Sequence, residues 1–282
     1  MKVLYIAEIT GKAGIYAFKK ALPELKARYP WDFLIACADG VTGCTGLGRN
    51  HAAYLHKLGA NVLTTGEHCF YKKDLTENIE KLPYVLRPDN LNPDAPGFGS
   101  RVYKAGGKKI AVAVLLGQNG FNRLHGNNPF ALLPVLLERL GQETPYIIVD
   151  FHAQATAEKK TLFYAADGRC SAVIGSHTRV QTADNQILPG GTAVICDAGR
   201  TGSSESVGGC DTALRIQEFI SGIPDWTKDA WDKPELQGVY INIGEDGKAG
   251  SIERVRIPVN AAPQTVDDIK EEANEEEAEK TG

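Results

Sequence analysis

Short apolar runs alternate with helical patterns through the first 220 residues of this chain. Apolar, β-branched runs between turn signals are typical of strands, and apolar positions spaced by about three to four residues indicate helices. The pattern predicts strands at 2–7, 32–37, 61–65, 84–87, 101–105, 109–116, 145–151, 171–175 and 192–197, and helices at 13–28, 47–58, 72–80, 130–141 and 209–221. This alternation predicts an α/β fold with a largely buried, mixed sheet covered by helices.

Two further strands are predicted near the end of the chain, at Leu236–Ile243 and Ser251–Pro258. The turn at 244–247 joins them into an antiparallel hairpin. A late hairpin added to an α/β body predicts two sheets within one domain. We expect this domain to span residues 1–263, and the acidic segment 264–282 to be solvated or disordered.

The composition allows one large core, because the chain has 282 residues and is 43% hydrophobic. No apolar run approaches the roughly 20 residues that a membrane span needs. The apolar start at Met1–Ile6 is too short for a signal peptide, so we expect a cytoplasmic protein. Six cysteines form no CxxC pair, which predicts reduced and mostly buried thiols.

The net charge of −4 is set by the acidic end of the chain. Residues 266–282 contain eight acidic residues and two lysines, and the rest has 29 basic against 27 acidic residues. This body is compatible with a small anionic substrate. Since it has no basic stripe, we do not expect nucleic acid as the main partner.

Carboxylates and imidazoles follow five of the apolar runs. These residues are Glu8, Asp39, Glu67, His152 and His177. Successive strand ends meet at one edge of a sheet, where α/β proteins bind ligands. The sequence therefore predicts a metal site formed by these five side chains. His68 and Arg179 lie beside it in the sequence and are candidate catalytic residues.

Such a site suits the hydrolysis of a phosphate ester. That reaction needs a strong nucleophile and neutralised phosphoryl oxygens, and a divalent metal provides both. Two metals about 3.5–4 Å apart do so better. Mixed oxygen and imidazole ligands suit iron, manganese or zinc, and His68 is placed to protonate the leaving oxygen.

Each residue alone has a simpler interpretation. A histidine at a strand end is more often a hydrogen-bonded structural residue, and Asp39 before Gly40 is typical of a turn. Five such residues at strand ends together favour the metal site. His51 and His56 lie outside the pattern and are expected at the surface. His125 falls in a predicted surface loop at 117–130, from which it can approach a substrate.

Several longer stretches occur in a characteristic order: Glu8–Gly14, Gly66-Glu67-His68 with Lys72-Lys73, Arg87-Pro88-Asp89-Asn90, Asp150-Phe151-His152-Ala153, Ser176-His177-Thr178 and Val180-Gln181-Thr182-Ala183-Asp184-Asn185. In these stretches the chain resembles the YmdB-like branch of the calcineurin-like metallophosphoesterases, from Met1 to about Pro258. The resemblance implies a four-layer α/β/β/α sandwich of the metallophosphoesterase type, a two-metal centre with iron or manganese, and homo-oligomers. It also implies phosphodiesterase activity, including activity on cyclic nucleotides.

The resemblance further implies two ligand sets. The first metal would draw on the residues that match Glu8, Asp39, Gly40 and Arg179, and the second on those that match Asp39, Glu67, His152 and His177. The family usually has Asp at position 8, Glu-Asn at 39–40, Asn at 67 and His at 179. The first set is therefore depleted here, because glycine has no side chain and the guanidinium stays protonated.

Arg179 would then either pair with Glu8 or Asp39, or clamp a phosphate. The losses fall on one metal's ligands, which leads to the hypothesis of one metal plus an arginine. The first functional interpretation is a metal-dependent phosphodiesterase or phosphatase for a small phosphorylated substrate, such as a cyclic nucleotide. The second is a catalytically degenerate relative that acts as a scaffold, assembly subunit or ligand-binding protein.

Overall fold

The computed structural model describes residues 1–225 and 228–260. Its strands are Lys2–Ile6 (β1), Glu8–Ile9 (β2), Phe33–Cys37 (β3), Val62–Thr64 (β4), Val85–Leu86 (β5), Ser100–Ala105 (β6), Lys108–Leu116 (β7), Ile147–His152 (β8), Ala172–Ser176 (β9), Gln186–Ile187 (β10), Ala193–Ile195 (β11), Arg200–Ser203 (β12), Pro234–Ile243 (β13) and Ala249–Pro258 (β14). Its α-helices are Gly11–Arg28 (α1), Arg49–Lys57 (α2), Lys73–Thr76 (α3), Pro129–Gly141 (α4), Thr156–Ala166 (α5) and Thr212–Ser221 (α6). The segment expected to be acidic and solvated, 264–282, and the predicted domain end at 263 lie outside the described residues.

Two sheets form the centre of the molecule. The first has the order β2-β12-β13-β1-β3-β4-β5, with β14 paired to β13, and the second has the order β10-β11-β9-β8-β7-β6. The strands β1, β3, β4 and β5 are parallel, as are β7, β8, β9 and β11. The predicted late hairpin is confirmed, since β13 and β14 pair antiparallel at the far side of β1.

Alternation along β1 shows how the layers are packed. Val3 and Tyr5 belong to the core between the two sheets, and Leu4 and Ile6 belong to the core that includes residues of α1 and α2. A third core lies between the second sheet and helices α4 and α5. Because the central strands β1, β3, β8 and β9 are buried on both faces, they read as apolar runs in the sequence. The four-layer α/β/β/α sandwich is thereby confirmed.

Helix α5 was not predicted from the sequence. Its buried positions form one stripe, but two of them are occupied by charged side chains, Glu158 and Lys159. The apolar periodicity that identifies a helix is therefore interrupted. The sequence also predicts one helix at 72–80, whereas the chain forms the short helix α3 and a separate 3-10 turn at Ile79–Lys81.

The six cysteines are buried and form no disulfide, as the sequence predicts. In the described ranges, no helix combines the length and the apolar character needed to cross a membrane.

Candidate metal centre

The five predicted ligand positions lie where the parallel strands of the two sheets have their carboxyl ends. Asp39 and Glu67 follow β3 and β4 of the first sheet, while His152 ends β8 and His177 follows β9 of the second. The register of the parallel strands aligns these ends, for instance His152 beside Ser176. The site therefore depends on the packing of one sheet on the other.

Glu67 is the central carboxylate. Its Oε2 contacts Nε2 of His152, and its Oε1 lies 3.0 Å from Nδ1 of His177. The same Oε1 lies 3.5 Å from Nδ1 of His68. Two groups of potential metal-binding atoms, each within 4.8 Å of one another, share this residue: Glu67 with His152 and His177, and Glu67 with Asp39 and His68.

Asp39 is fully buried and holds the turn that carries Glu67. Its Oδ1 accepts hydrogen bonds from the backbone N–H groups of Gly66 at 2.5 Å and His68 at 3.2 Å. Its Oδ2 lies 2.7 Å from His68 Nδ1. Because Nδ1 is engaged with this carboxylate, Nε2 is the nitrogen through which His68 can exchange a proton with a substrate.

The electrostatics of this cluster favour charged forms. Burial alone would raise the pKa of Glu67, but the positive charges and hydrogen bonds of His152 and His177 hold it below its usual range. Burial likewise opposes the charge of His152, yet the Glu67 carboxylate raises its pKa well above the ordinary value. The cluster therefore holds a proton that a metal ion would displace on binding.

A buried relay behind His152 sets its orientation. The Ser176 hydroxyl donates to Asp150 Oδ1 at 2.7 Å and lies 2.9 Å from His152 Nδ1. Tyr5 and Thr64 donate to the other oxygen of Asp150, at 2.6 and 2.5 Å. Since Ser176 gives its proton to Asp150, it accepts one from His152 Nδ1, and Nε2 faces the site.

These supporting residues were not predicted as part of the site. Asp150 stands two positions before His152 in a strand, and side chains two apart point to the same face. That spacing is a signal in the sequence that identifies Asp150. Tyr5 and Thr64 lie 145 and 86 positions from Asp150 in the chain, and no local sequence pattern connects them to Asp150.

Arg179 pairs with Glu8 on the other side of the cluster. Its Nε and Nη2 donate to Glu8 Oε1 at 2.9 and 2.6 Å. Its remaining bonds go to the backbone carbonyls of Gly208 at 2.8 Å and Cys44 at 2.9 Å. Four of the five guanidinium N–H donors are therefore engaged, which leaves one for a phosphate. Of the two roles expected for Arg179, the structure shows the ion pair with Glu8.

Gly40 leaves room for the ion pair between Arg179 and Glu8. A Cβ at position 40 would lie 2.9 Å from Arg179 Nη2 and 2.9 Å from Glu8 Oε1. The guanidinium therefore occupies the space that a ligating side chain at position 40 would need. The glycine at position 40 and the arginine at position 179 are therefore coupled, because the guanidinium needs the space that glycine leaves open.

A sequence model of the YmdB-like protein family matches residues 4–255 of this chain. The chain belongs to the YmdB-like family. It is 38% identical over 258 residues to a 2',3'-cyclic-nucleotide 2'-phosphodiesterase of Bacillus subtilis, a match that covers 91% of this chain and 97% of that protein. It is 32% identical over 263 residues to a putative phosphatase/phosphodiesterase of Mycoplasma genitalium, covering 91% and 93%.

A solved structure shares the fold. The crystal structure of a novel phosphatase from Mycoplasma pneumoniae superposes with a TM-score of 0.86 at 31% identity, over 92% of this chain and 93% of that one. The resemblance to metallophosphoesterases noted from the sequence is thereby confirmed for the family and for the fold.

The donor set of this YmdB-like chain fits a divalent cation on one side of the cluster. Asp39, Glu67, His152 and His177 offer carboxylate and imidazole atoms from rigid strand ends, and His152 is oriented by a hydrogen-bonded relay as metal-bound histidines are. On the other side, Glu8 Oε2 is buried and has no hydrogen-bond partner among residues 1–225 and 228–260. A cation beside Glu8 would satisfy that oxygen, but its neighbour Arg179 already brings one positive charge there.

The loop that carries His177 and Arg179 is held by a buried ion pair. Lys159 donates to Ser176 O at 2.8 Å and to Asp197 Oδ2 at 3.2 Å. The same Asp197 oxygen accepts from the backbone and hydroxyl of Thr178, at 2.8 and 2.7 Å. These bonds fix a loop in which His177 and Arg179 have φ values of 95° and 59°, a region that side-chain residues rarely adopt.

The other three histidines lie outside the cluster. His51 Nδ1 contacts Thr42 Oγ1 at 2.8 Å, and His56 stacks on Tyr84 with ring centroids 4.0 Å apart. His125 is exposed on the loop that the sequence predicted, which runs as coil up to the start of α4 at Pro129. It is not among the residues that line the cavity over the site.

Proposed function

We propose that this chain is a metal-dependent phosphodiesterase or phosphatase for a small phosphate ester, with one divalent ion and the Arg179 cation in its site. The observation that carries the proposal is the division of the cluster into two halves. Glu67, His152 and His177 form one group of potential metal-binding atoms, and Asp39 lies 3.8 Å from His152 Nε2, whereas Glu8 is paired with Arg179. A fixed guanidinium thus stands where the family would place ligands for a first ion.

The residues of this chain have distinct parts in that reaction. A divalent ion bound by Asp39, Glu67, His152 and His177 would supply an acidified water and offset the charge of the phosphoryl group. Burial raises the pKa of Asp150 and so opposes its charge, while Tyr5, Thr64 and Ser176 donate to it and hold His152 in register. Arg179 keeps the charge of Glu8 neutralised within the site.

His68 is the proposed general acid. Burial lowers its pKa, but the hydrogen bond and charge of Asp39 outweigh this and raise it above the ordinary value. A histidine kept protonated beside the site can donate to a leaving oxygen. Its side chain is partly exposed and lines the open cavity over the cluster, which gives a substrate access to it.

Iron or manganese is the metal we propose. The mixture of imidazole nitrogen and carboxylate oxygen suits iron, manganese or zinc, and the family resemblance favours the first two. For the substrate we propose a cyclic nucleotide, on the similarity to the Bacillus subtilis 2',3'-cyclic-nucleotide 2'-phosphodiesterase. The cavity over the cluster has a volume of about 650 Å³, which is in the range of small-molecule sites.

A second candidate function is binding without turnover, as a scaffold, assembly subunit or ligand sensor. The ion pair of Arg179 with Glu8 is the observation that favours it, because this pair removes ligands that the family uses. The two candidates differ in metal content and in turnover. Purified full-length chain without metal and without hydrolysis under manganese or iron would support the second.

The proposed activity is tested by His177→Ala in the full-length chain. We expect elemental analysis to give about one ion per wild-type chain and almost none in the variant, with loss of manganese- or iron-stimulated hydrolysis of a generic diester. The matched control is His56→Ala, which removes a histidine that stacks on Tyr84 away from the cluster. Unchanged stimulated turnover in His177→Ala would contradict the assignment, and two fully occupied ions in the wild type would contradict the one-ion site.

A homo-oligomer is also proposed. Helix α6 turns its polar pair, Arg215 and Glu218, towards the body, while Ile216, Phe219 and Ile220 are exposed by 57%, 82% and 74%. This apolar face supports contact with a second copy. Light scattering of the wild type and of Phe219→Glu tests it, with a smaller mass expected for the variant and an unchanged mass contradicting the contact.

A cytoplasmic location is proposed on the state of the cysteines. All six are buried thiols outside any disulfide, and such thiols persist in reducing compartments. Fractionation of the native cells with an antibody to the chain tests this, and recovery from an exported fraction would contradict it.

A further inference from the structure

Tyr71 and Arg123 form the outer wall of the cavity over the metal-ligand cluster. The Arg123 guanidinium carbon lies 5.7 Å from the centre of the Tyr71 ring, and the ring is 40% exposed. Both residues line the cavity together with His68 and His177. The wall is thus formed by an accessible aromatic face and a cation, next to the proposed reacting groups.

The Tyr71 ring is positioned by His68. The two rings meet edge to face, with centroids 4.6 Å apart. The proposed metal ligands Glu67 and His177 line the same cavity as Tyr71, so the phosphoryl group of a substrate lies in that cavity next to the Tyr71 wall. In a nucleoside 2',3'-cyclic phosphate both ester oxygens belong to the ribose that carries the base, and the base therefore lies on the Tyr71 side.

Phe121 is not available for the same purpose. It is buried, and its ring packs edge to face on His177 with centroids 5.0 Å apart and lies 6.0 Å from His152. It forms the floor of the cavity and supports the histidines. Tyr71 is consequently the aromatic side chain of the lining that a ligand can stack against.

The loop that carries Arg123 is held at both ends. At the start, Gln118 N and Asn119 Nδ2 donate to the carboxylate of Glu158, at 2.7 and 3.2 Å. Towards the end, Asn90 Nδ2 donates to Asn127 O at 2.7 Å. The tip between these anchors, which includes Arg123, is exposed and close to Tyr71, so a planar group can enter between them with a small displacement of the arginine.

We propose that Tyr71 and Arg123 bind the nucleobase of the leaving nucleoside, with the base stacked on the Tyr71 ring and covered by the Arg123 guanidinium. This inference rests on the proposed function, because it places the phosphoryl group of the substrate at the proposed metal ligands. Stacking of a base on an aromatic side chain is sequence-tolerant, since every base has a π face. The pair thus selects nucleotides over phosphate esters without a base, and accepts more than one base.

The test compares two substrates and one product. Wild type, Tyr71→Leu, Tyr71→Phe and Arg123→Gln are assayed as full-length chains with adenosine 2',3'-cyclic phosphate and with glycerol 1,2-cyclic phosphate, which has no base. Tyr71→Leu is expected to lower the ratio of the two kcat/KM values on the order of tenfold to a hundredfold, through KM for the nucleotide. Tyr71→Phe is expected to keep the ratio, and Arg123→Gln to lower it less than Tyr71→Leu does.

Calorimetric binding of adenosine 3'-phosphate provides a readout that does not need turnover. We expect Tyr71→Leu to weaken it by a similar factor, with Tyr164→Leu on helix α5 as the control for an exposed tyrosine elsewhere. Equal losses on both substrates, or unchanged nucleotide binding in Tyr71→Leu, would overturn the proposal. If no variant, wild type included, hydrolyses either substrate, the proposed function fails, and the binding data alone decide the role of Tyr71.

Discussion

Arg179 donates two hydrogen bonds to a single oxygen of Glu8, and the other oxygen of that buried carboxylate has no partner in the part of the chain that the structure describes. The geometry is therefore not the bidentate fork that arginine usually forms with a carboxylate. The second half of the guanidinium is taken up by the backbone carbonyls of Cys44 and Gly208. The pair neutralises Glu8 and leaves its second oxygen buried.

Restoring a second ion is the first prediction. In the double variant Gly40→Asn with Arg179→His, bound manganese should rise from about one ion per chain towards two. The reason is that the guanidinium leaves the space at position 40, and both new side chains can ligate. The measurement is elemental analysis after manganese loading and gel filtration.

The single variant Gly40→Asn serves as a control for that experiment. Gly40→Asn alone should clash with Arg179 and gain no ion, because a Cβ there lies 2.9 Å from Nη2. A double variant that binds no more manganese than the wild type would show that Arg179 is not what prevents the second ion.

The relay behind His152 leads to the second prediction. Ser176→Ala should weaken manganese binding by about 10- to 100-fold, because His152 Nδ1 loses the acceptor that orients the ring. Metal titration monitored by calorimetry measures this. Ser176→Thr keeps a hydroxyl, and Ser171→Ala removes a buried serine at the other end of β9. An affinity for manganese in Ser176→Ala equal to that of Ser171→Ala would contradict the relay.

Gly66 provides the third prediction. A Cβ at this position would overlap the ring of His152, so Gly66→Ala should displace His152 or Glu67 and remove most of the metal and the turnover. Circular dichroism should show that the fold is retained. Gly141→Ala at the end of α4 is the matched control, because nothing lies within 4 Å of its added Cβ. Normal metal content in Gly66→Ala would mean that the glycine is not required for the close approach.

The buried ion pair below the site gives the fourth prediction. Lys159→Met leaves Asp197 buried without its cation, which should lower the free energy of unfolding by about 3–5 kcal/mol. Urea unfolding followed by fluorescence measures the change. Lys160→Met removes an exposed lysine from the same helix and should stay within about 0.5 kcal/mol of the wild type. Equal free energies of unfolding in the two variants would show that Asp197 tolerates the loss of the Lys159 ammonium group.

Much of the fold was predictable because local patterns encode it. On β1 the residues of both faces are buried, as in Val3, Leu4, Tyr5 and Ile6. A continuous apolar run in the sequence is typical of such a strand. The short strands β2, β10 and β12 were missed. So was α5, where the buried positions of Glu158 and Lys159 look solvent-exposed in the sequence. Each is buried because it finds a partner from another element, Gln118 for one and Asp197 for the other.

The sequence alone predicted most of the strands and their polar ends, and the family resemblance pointed to the loss of ligands at Gly40 and Arg179. The tertiary structure decided which of these groups meet. Glu8 and Arg179 are 171 positions apart, and Glu67 and His152 are 85 apart. Their contacts depend on how one sheet lies against the other. The packing of the whole core sets that arrangement, and no local periodicity in the sequence predicts it. Only that packing showed that Arg179 is bound to Glu8 and fills the space beside Gly40.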